Sequence, residues 1–266
     1  VRILILGCGP SGLFAATALR DAGHEVAIYS KPRKSLMNGA QYLHAPIPGL
    51  SGEPFEIEYV LDGPIDGYRR KVYGEDAAFD VSPEALLGTH QAWDIREAYD
   101  AAWFEFGREV RTLELDATPG WKRFEALDAA FNSFQPDRVI STIPARLLCV
   151  RPKVHKFDSA MIWSTSSVKP IGRFAEIVNR PTVDNLVVCS GYRDDWWYRC
   201  SRIQGYENSE FPDSRPPKTG ARWHVEKPIS TDCDCFPEVA RIGRYGSWTK
   251  GVLSHEAYAQ ALEVVR

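Results

Sequence analysis

Three glycines in G-x-G-x-x-G spacing, Gly7, Gly9 and Gly12, follow an apolar, β-branched run over residues 1–6 and open a helical stretch over 11–22. Each answers a separate steric need of a phosphate-binding turn. The first permits a tight strand-to-helix corner, the second lets a pyrophosphate approach the backbone, and the third lets the helix pack close to the sheet. The phosphates would then meet the unpaired N–H groups and positive dipole end of a helix N-terminus. Gly23 punctuates, and "EVAIY" supplies a second strand, so the glycines stand in the βαβ context that gives the motif its meaning. Ala16 adds a small residue four positions beyond Gly12, on the face that must meet the sheet.

Other chemistry-bearing residues are dispersed. The six cysteines, Cys8, Cys149, Cys189, Cys200, Cys233 and Cys235, are scattered, and Cys8 lies inside the glycine turn, which argues against a disulfide framework. Cys233 and Cys235 form C-D-C with no second Cys or His pair nearby in sequence, so no metal site is expected. The six histidines are also spread along the chain. No Ser-His-Asp spacing, P-loop, H-E-x-x-H or paired-carboxylate arrangement stands out, and no second G-x-G-x-x-G offers a dedicated nicotinamide domain.

The 266 residues suffice for one large or two modest domains with a substantial core. A hydrophobic content of 44%, a charged content of 25% and a net charge of −3 describe an ordinary globular chain without a field for nucleic acid or membrane. "KPRK" and Arg69 to Lys71 are local basic spots that read as solvated faces. No apolar run approaches membrane-spanning length, and the N-terminus enters a strand without a leader pattern, so the expectation is a cytoplasmic protein.

The elements that must position the glycines alternate along the chain. "SLMNGAQYLHAPIPGLSG" reads as a loop, "FEIEYVLDG" and "YRRKVYG" as two strands, and "SPEALLGTHQAWDIREAYDAAWFEFG" as helical, strongest over 93–106. "VRTLELD" returns to strand, "GWKRFEALDAAFNSF" is an amphipathic helix, and "DRVISTIP" is a buried strand. Segments from "FDSAMIWSTSSVK" through "NLVVCSGYRDDWWYRCSRIQGYENSEFP" read as antiparallel strands with Pro-rich connections. In "DDWWYRC" the adjacent tryptophans would face opposite sides of a strand, with Trp196 available to a cavity. The final "EVARIGRYGSWTKGVLSHEAYAQALEVV" reads as strand, glycine turn and a helix running to the end.

"GCGPSG", "DRVISTIP" and "RIGRYGSW...LSHEAYAQA", in that order, resemble the cofactor-binding elements of flavoproteins related to UDP-galactopyranose mutase, protoporphyrinogen oxidase and the amine oxidases. The resemblance covers about half the chain in three blocks and implies an α/β fold. Residues 1–49, 108–150 and 236–266 would form a Rossmann-like FAD-binding domain of glutathione-reductase type, and 50–107 and 151–235 a small inserted α+β cap. It implies that Gly7, Gly9, Pro10, Ser11 and Gly12 hold the FAD pyrophosphate, and that Gly243, Arg244 and Gly246 lie along the pyrophosphate and ribityl chain. Trp248 would lie near the isoalloxazine, with the last helix aimed at the pyrimidine side, where it stabilises reduced-flavin charge. Ser30, Lys31, Gln41 and Val110 complete the implied cofactor contacts.

The family places Asp or Glu at the end of the second strand, where it accepts ribose hydroxyls; here Ser30 stands instead, followed by Lys31, Arg33 and Lys34. Cations there suit a 2′-phosphate, which makes NADP the alternative cofactor. With FAD, the ring would lie between "NGAQYLH" and "GRYGSW". Gln41, Tyr42 and His44 then become flavin-side or substrate-side groups, His44 an acid or base, and Tyr42, Trp196 and Trp248 pocket walls. The flavin would carry the redox chemistry, as an oxidation returning electrons to oxygen or as a redox-neutral lyase or mutase reaction. Three readings follow: an FAD-dependent oxidoreductase of a small or medium-sized molecule, a flavoenzyme tailoring a nucleotide or modified DNA base, and an NADP-binding reductase or non-catalytic redox sensor.

Overall fold

The computed structural model describes residues 1–31, 41–75, 81–113, 120–166 and 184–266. Pro32, Arg33 and Lys34, the 35–40 part of the glycine-rich loop, the 114–116 end of "VRTLELD" and the tail of "STSSVK" lie outside these residues.

The opening apolar run forms strand β1 (Arg2–Leu6), and Pro10 starts helix α1 (Pro10–Asp21) at the position where its missing N–H costs no helix bond. Strand β2 (Glu25–Ser30) pairs in parallel with β1, completing the anticipated βαβ unit. Three further strands, β6 (Arg111–Thr112), β7 (Arg138–Ser141) and β13 (Val239–Arg241), extend it to a parallel sheet in the order β13-β7-β1-β2-β6. Both faces are covered. On one, Ile3, Ile5 and Ile28 pack under α1, under helix α3 (Ile95–Phe106) through Tyr99, Ala102 and Phe106, and under the terminal helix α7 (Glu256–Val264) through Ala257 and Ala261. On the other, Leu4, Leu6 and Tyr29 meet Leu127, Ala130 and Phe134 of helix α4 (Gly120–Phe134) and Leu148 of helix α5 (Ala145–Leu148). Fully burying each such aliphatic side chain contributes about 1.5–3 kcal/mol.

A second sheet of eight strands follows the order β12-β8-β11-β10-β9-β4-β5-β3. Its members are β3 (Tyr42–Leu43), β4 (Phe55–Asp62), β5 (Gly88–Asp94), β8 (Phe157–Thr165), β9 (Leu186–Ser190), β10 (Arg199–Ile203), β11 (Tyr206–Pro212) and β12 (Trp223–Thr231). Only β4 and β9 run parallel; the other neighbours are antiparallel. The fold is thus mixed α/β with a parallel dinucleotide-type sheet, and the anticipated small cap is an extensive sheet. Two elements cross the expected division: α3, within 50–107, packs on α1, and β3, within 1–49, pairs with β5.

Several local readings change. "YRRKVYG" lies in helix α2 (Ile65–Tyr73), whose Tyr68 and Val72, one turn apart, bury one face while Asp66 and Arg70/Lys71 complement the dipole ends. Helix α2 docks closely, because a Cβ on Gly67 would lie 1.8 Å from the Gly191 carbonyl oxygen. The segment before α3 is strand β5, and Asp94 ends it by accepting the Arg96 N–H at 2.8 Å as a helix cap. The last segment holds a short helix α6 (Gly243–Ser247), a left-handed Trp248 (φ 54) and then α7, not one continuous helix.

Candidate functional site

The glycine turn is as crowded on one side as it is open on the other. Gly7 has φ +109, and a Cβ there would meet Thr142 Oγ1 at 2.5 Å. A Cβ on Gly12 would lie 2.0 Å from the Gly7 carbonyl oxygen, so the first turn of α1 is pressed onto the end of β1. Around Gly9 nothing among the described residues lies within 4 Å of that direction, leaving backbone open to an approaching group. Thr142, beyond β7, ties the turn down by donating its N–H and Oγ1–H to the Leu6 carbonyl at 2.9 and 3.1 Å.

The C-terminal segment closes on the same place. Gly243 (φ +67) stands where a Cβ would touch Ser11 Oγ at 2.7 Å, and a Cβ on Gly246 would lie 2.3 Å from the Ser141 carbonyl oxygen. The Gly243 N–H donates to Gln260 Oε1 of α7 at 2.9 Å, which anchors α6 to the last helix. The early and late glycines therefore share one crevice floored by the ends of β1 and β7. Among the described residues, Ser141 Oγ at the end of β7, Arg244 Nε of α6 and His255 Nδ1 ahead of α7 are buried without a hydrogen-bond partner. Buried polar atoms of this kind normally have partners, and open backbone at Gly9, at the start of α1, suits a polar, phosphate-bearing ligand such as FAD.

At the end of β2, Ser30 is buried and its Oγ accepts the Cys8 N–H at 3.1 Å, while the Cys8 thiol points to the Lys31 carbonyl at 3.6 Å. These contacts brace the glycine turn from β2. Val110 packs its side chain against the α1–α3 core. Pro10 and Ser11 begin α1 within the crevice, and Gln41 is exposed just ahead of β3.

Beyond the glycines, β3, β4 and β5 gather an aromatic and imidazole cluster. Tyr42 lies 4.9 Å from His44 and 6.4 Å from Tyr59, Tyr59 lies 5.2 Å from His90, and His44 lies 6.3 Å from His255 of the C-terminal segment (ring centroids). His44 is exposed on one side, but the protein around it desolvates the ring and holds its pKa below the usual 6.5, and any positive charge on His255, His90 or Arg199 acts in the same direction, against Glu256. Burial lowers His255 likewise, against the opposing charge of Glu256. Both imidazoles are accordingly neutral at pH 7 and able to accept a proton. Burial pushes the Tyr59 hydroxyl up to about 12.

A charged network in the second sheet escaped the sequence reading. Glu210, buried on β11, is bound by Arg199 at 2.8 Å, by Lys227 at 3.0 Å and by the Tyr198 hydroxyl at 2.6 Å. Burial opposes its ionisation, but Arg199 and Lys227 outweigh this and hold its pKa at about 2. Burial draws Lys227 down to about 8 despite Glu210. A signal for the pair does exist in the sequence. Gln204 and Gly205 have φ 49 and 75, the geometry of a two-residue hairpin turn, and counting outward from Ile203↔Tyr206 puts Arg199 opposite Glu210.

The two tryptophan expectations do not hold. Trp248 is fully buried, donates its indole N–H to the Asp158 carbonyl at 3.0 Å and meets Phe157 edge-on at 5.5 Å, so it is core and walls no pocket. Trp196 and Trp197 precede β10 and join one cluster with Phe211, so neither is parted from the other across a strand. A separate cleft of about 810 Å³, lined by Arg70, Lys71, Arg193 and Arg215 beside α2, contains none of the crevice glycines. The metal-site expectation also changes, because Cys149 and His155 come to lie against Cys233 and Cys235 once the chain folds.

No protein-family model matches the chain, and no curated protein matches its sequence. Among solved structures, a point mutant of 2-methyl-3-hydroxypyridine-5-carboxylic acid oxygenase is similar with a TM-score of 0.51 and 12% identity, over 99% of this chain and 87% of that one. HpxO of Klebsiella pneumoniae, complexed with FAD and uric acid, scores 0.48 at 14% identity over 100% and 78% of the two chains. The p-nitrophenol 4-monooxygenase of Pseudomonas putida scores 0.48 at 12% identity over 99% and 80%. The first likeness shows a shared fold. The first and third of these neighbours are named as oxygenases and the second carries FAD, and the narrower resemblance to UDP-galactopyranose mutase, protoporphyrinogen oxidase and the amine oxidases is not supported.

Proposed function

We propose that the chain is an FAD-dependent oxidoreductase and, within that class, an oxygenase of a small aromatic or heteroaromatic molecule. The observation that carries this reading is the shared crevice: open backbone at Gly9, Gly243 against Ser11 and Gly246 against the Ser141 carbonyl. Gly7, Gly9, Ser11 and Gly12 would hold the diphosphate, and Gly243, Arg244 and Gly246 would follow it toward the ribityl chain. The aromatic class is supported by the half-buried Tyr42 and His90, whose rings offer stacking surfaces near neutral His44. It is supported further by the fold shared with an oxygenase named for a hydroxypyridine carboxylic acid. Bound FAD supplies the electron-transfer chemistry, and the protein supplies orientation and electrostatics. His44 takes or returns a proton at the substrate. With the Ser30 hydroxyl engaged by Cys8 and the 2′-phosphate finding no support, the NADP reading is not carried forward.

The test is titration of the purified protein with FAD, followed by flavin fluorescence, beside a Gly9→Val variant. A Cβ at Gly9 meets nothing among the described residues and its φ of −70 suits any residue, so the variant should fold like the parent while losing most of its FAD affinity. Absence of FAD uptake by the parent, with saturable NADPH binding instead, would overturn the reading.

A further inference from the structure

Cys149, His155, Cys233 and Cys235 converge, with one ligand atom from each lying within 4.8 Å of all the others. Cys149 Sγ is 3.2 Å from His155 Nδ1 and 4.0 Å from Cys235 Sγ, and Cys235 Sγ is 3.6 Å from the same nitrogen. A tetrahedral zinc ion with sulfur at about 2.3 Å and nitrogen at about 2.0–2.1 Å separates its ligands by about 3.6–3.8 Å. The observed spacings bracket those edges.

The surroundings are also built for a bound ion. His155 turns Nδ1 toward the sulfurs and Nε2 toward Asp234 Oδ1 at 3.4 Å, the arrangement in which a carboxylate fixes the tautomer of a metal-bound imidazole. Asp234 is the middle residue of C-D-C, so one short segment supplies two sulfurs and the outer carboxylate. Arg151 holds that carboxylate at 3.2 Å. Arg241 donates to the carbonyls of Cys233, at 3.0 Å, and Cys235, clamping the segment's backbone.

We propose that these four residues form a structural Cys₃His zinc site. Three thiolates and one neutral imidazole fill all four positions of a tetrahedral ion, and the three thiol protons leave to solvent on binding. The location gives the site its role. Residues 149–156 carry the chain from β7 and α5 to β8, and residues 232–238 carry it from β12 back to β13. Zinc would staple the outgoing and returning crossovers between the two sheets, joining positions 86 residues apart. Cys149 follows Thr142, and Cys235 precedes Gly243, so the staple fixes two segments that form the crevice.

The experiment measures zinc in protein purified under reducing conditions without added chelator, then exchanges it for Co²⁺. The expected result is one zinc per chain and a Co²⁺ spectrum with thiolate charge-transfer bands and the intense visible bands of tetrahedral geometry. Zinc should be lost from Cys233→Ser/Cys235→Ser and retained by Cys189→Ala, and chelation should lower Tm in the parent. Should the double variant fail to fold, the Co²⁺ spectrum of the parent still decides. The proposal is overturned if the reduced parent, given zinc in excess, retains none and Co²⁺ produces no thiolate bands, or if zinc persists undiminished in the double variant. A Cys149–Cys235 disulfide found by mass spectrometry in freshly purified, zinc-free protein overturns it as well.

Discussion

His44 shows how a single side chain acquires a role from its neighbours. Free imidazole is half protonated near pH 6.5. Here desolvation by the surrounding protein, and any positive charge on His255, His90 or Arg199, shift the balance toward the neutral base. If proton transfer at His44 limits turnover, activity should rise as pH increases through a value below 6.5 and then level off. His44→Ala should lower turnover about 100-fold or more with FAD occupancy unchanged. Steady-state rates across pH, paired with flavin absorbance, decide this. A variant with parental turnover and an unchanged profile removes His44 from the mechanism. The glycines offer the complementary lesson: Gly12 is confined by the Gly7 carbonyl, whereas Gly9 faces open space, so identical residues in one motif serve packing and access respectively.

At the scale of elements, β10, β11 and β12 stand or fall with one carboxylate. Glu210 faces Arg199 of β10 and Lys227 of β12, with the Tyr198 hydroxyl as a further donor. Removing the charge by Glu210→Gln leaves two cations without their counter-ion, and breaking a buried pair in this way costs about 3–5 kcal/mol. Arg199 is partly reached by solvent, so the lower end is expected. The pH dependence has a definite sign. The folded carboxylate titrates at about 2 against an ordinary 4.5, so its stabilisation is complete above 4.5 and disappears as pH falls from 4.5 through about 2. Denaturant melts over that window should show a steep loss in the parent and a shallower one in Glu210→Gln. Parallel curves would mean the network contributes nothing to stability.

For the molecule as a whole, the crevice joins the two ends of the chain, so a ligand there must stabilise the entire structure. FAD at 100 times its Kd should add about 2.7 kcal/mol. At roughly 2–4 °C per kcal/mol for a chain of this size class, Tm should rise by roughly 5–10 °C. Scanning calorimetry with and without FAD checks this, and an unmoved Tm would contradict a cofactor site built from both termini. Among the described residues no helix is long and apolar enough to cross a membrane.

The βαβ unit, the glycine turn and the later strand-and-glycine segment were legible in the amino-acid order, because each rests on local sterics: β-branched runs extend, and glycine takes the positive φ of Gly7 and Gly243 at least cost. The helix at 65–73 was misread as strand because a short alternating stretch satisfies both periodicities until packing against Gly191 chooses one. The burial of Trp248, the Glu210 network and the cysteine cluster belong to tertiary structure. Each depends on which strands become neighbours and where the chain crosses between sheets, and no local preference encodes a meeting of residues 86 positions apart. Sequence thus determined how each segment bends, and the fold decided which chemically able groups would meet.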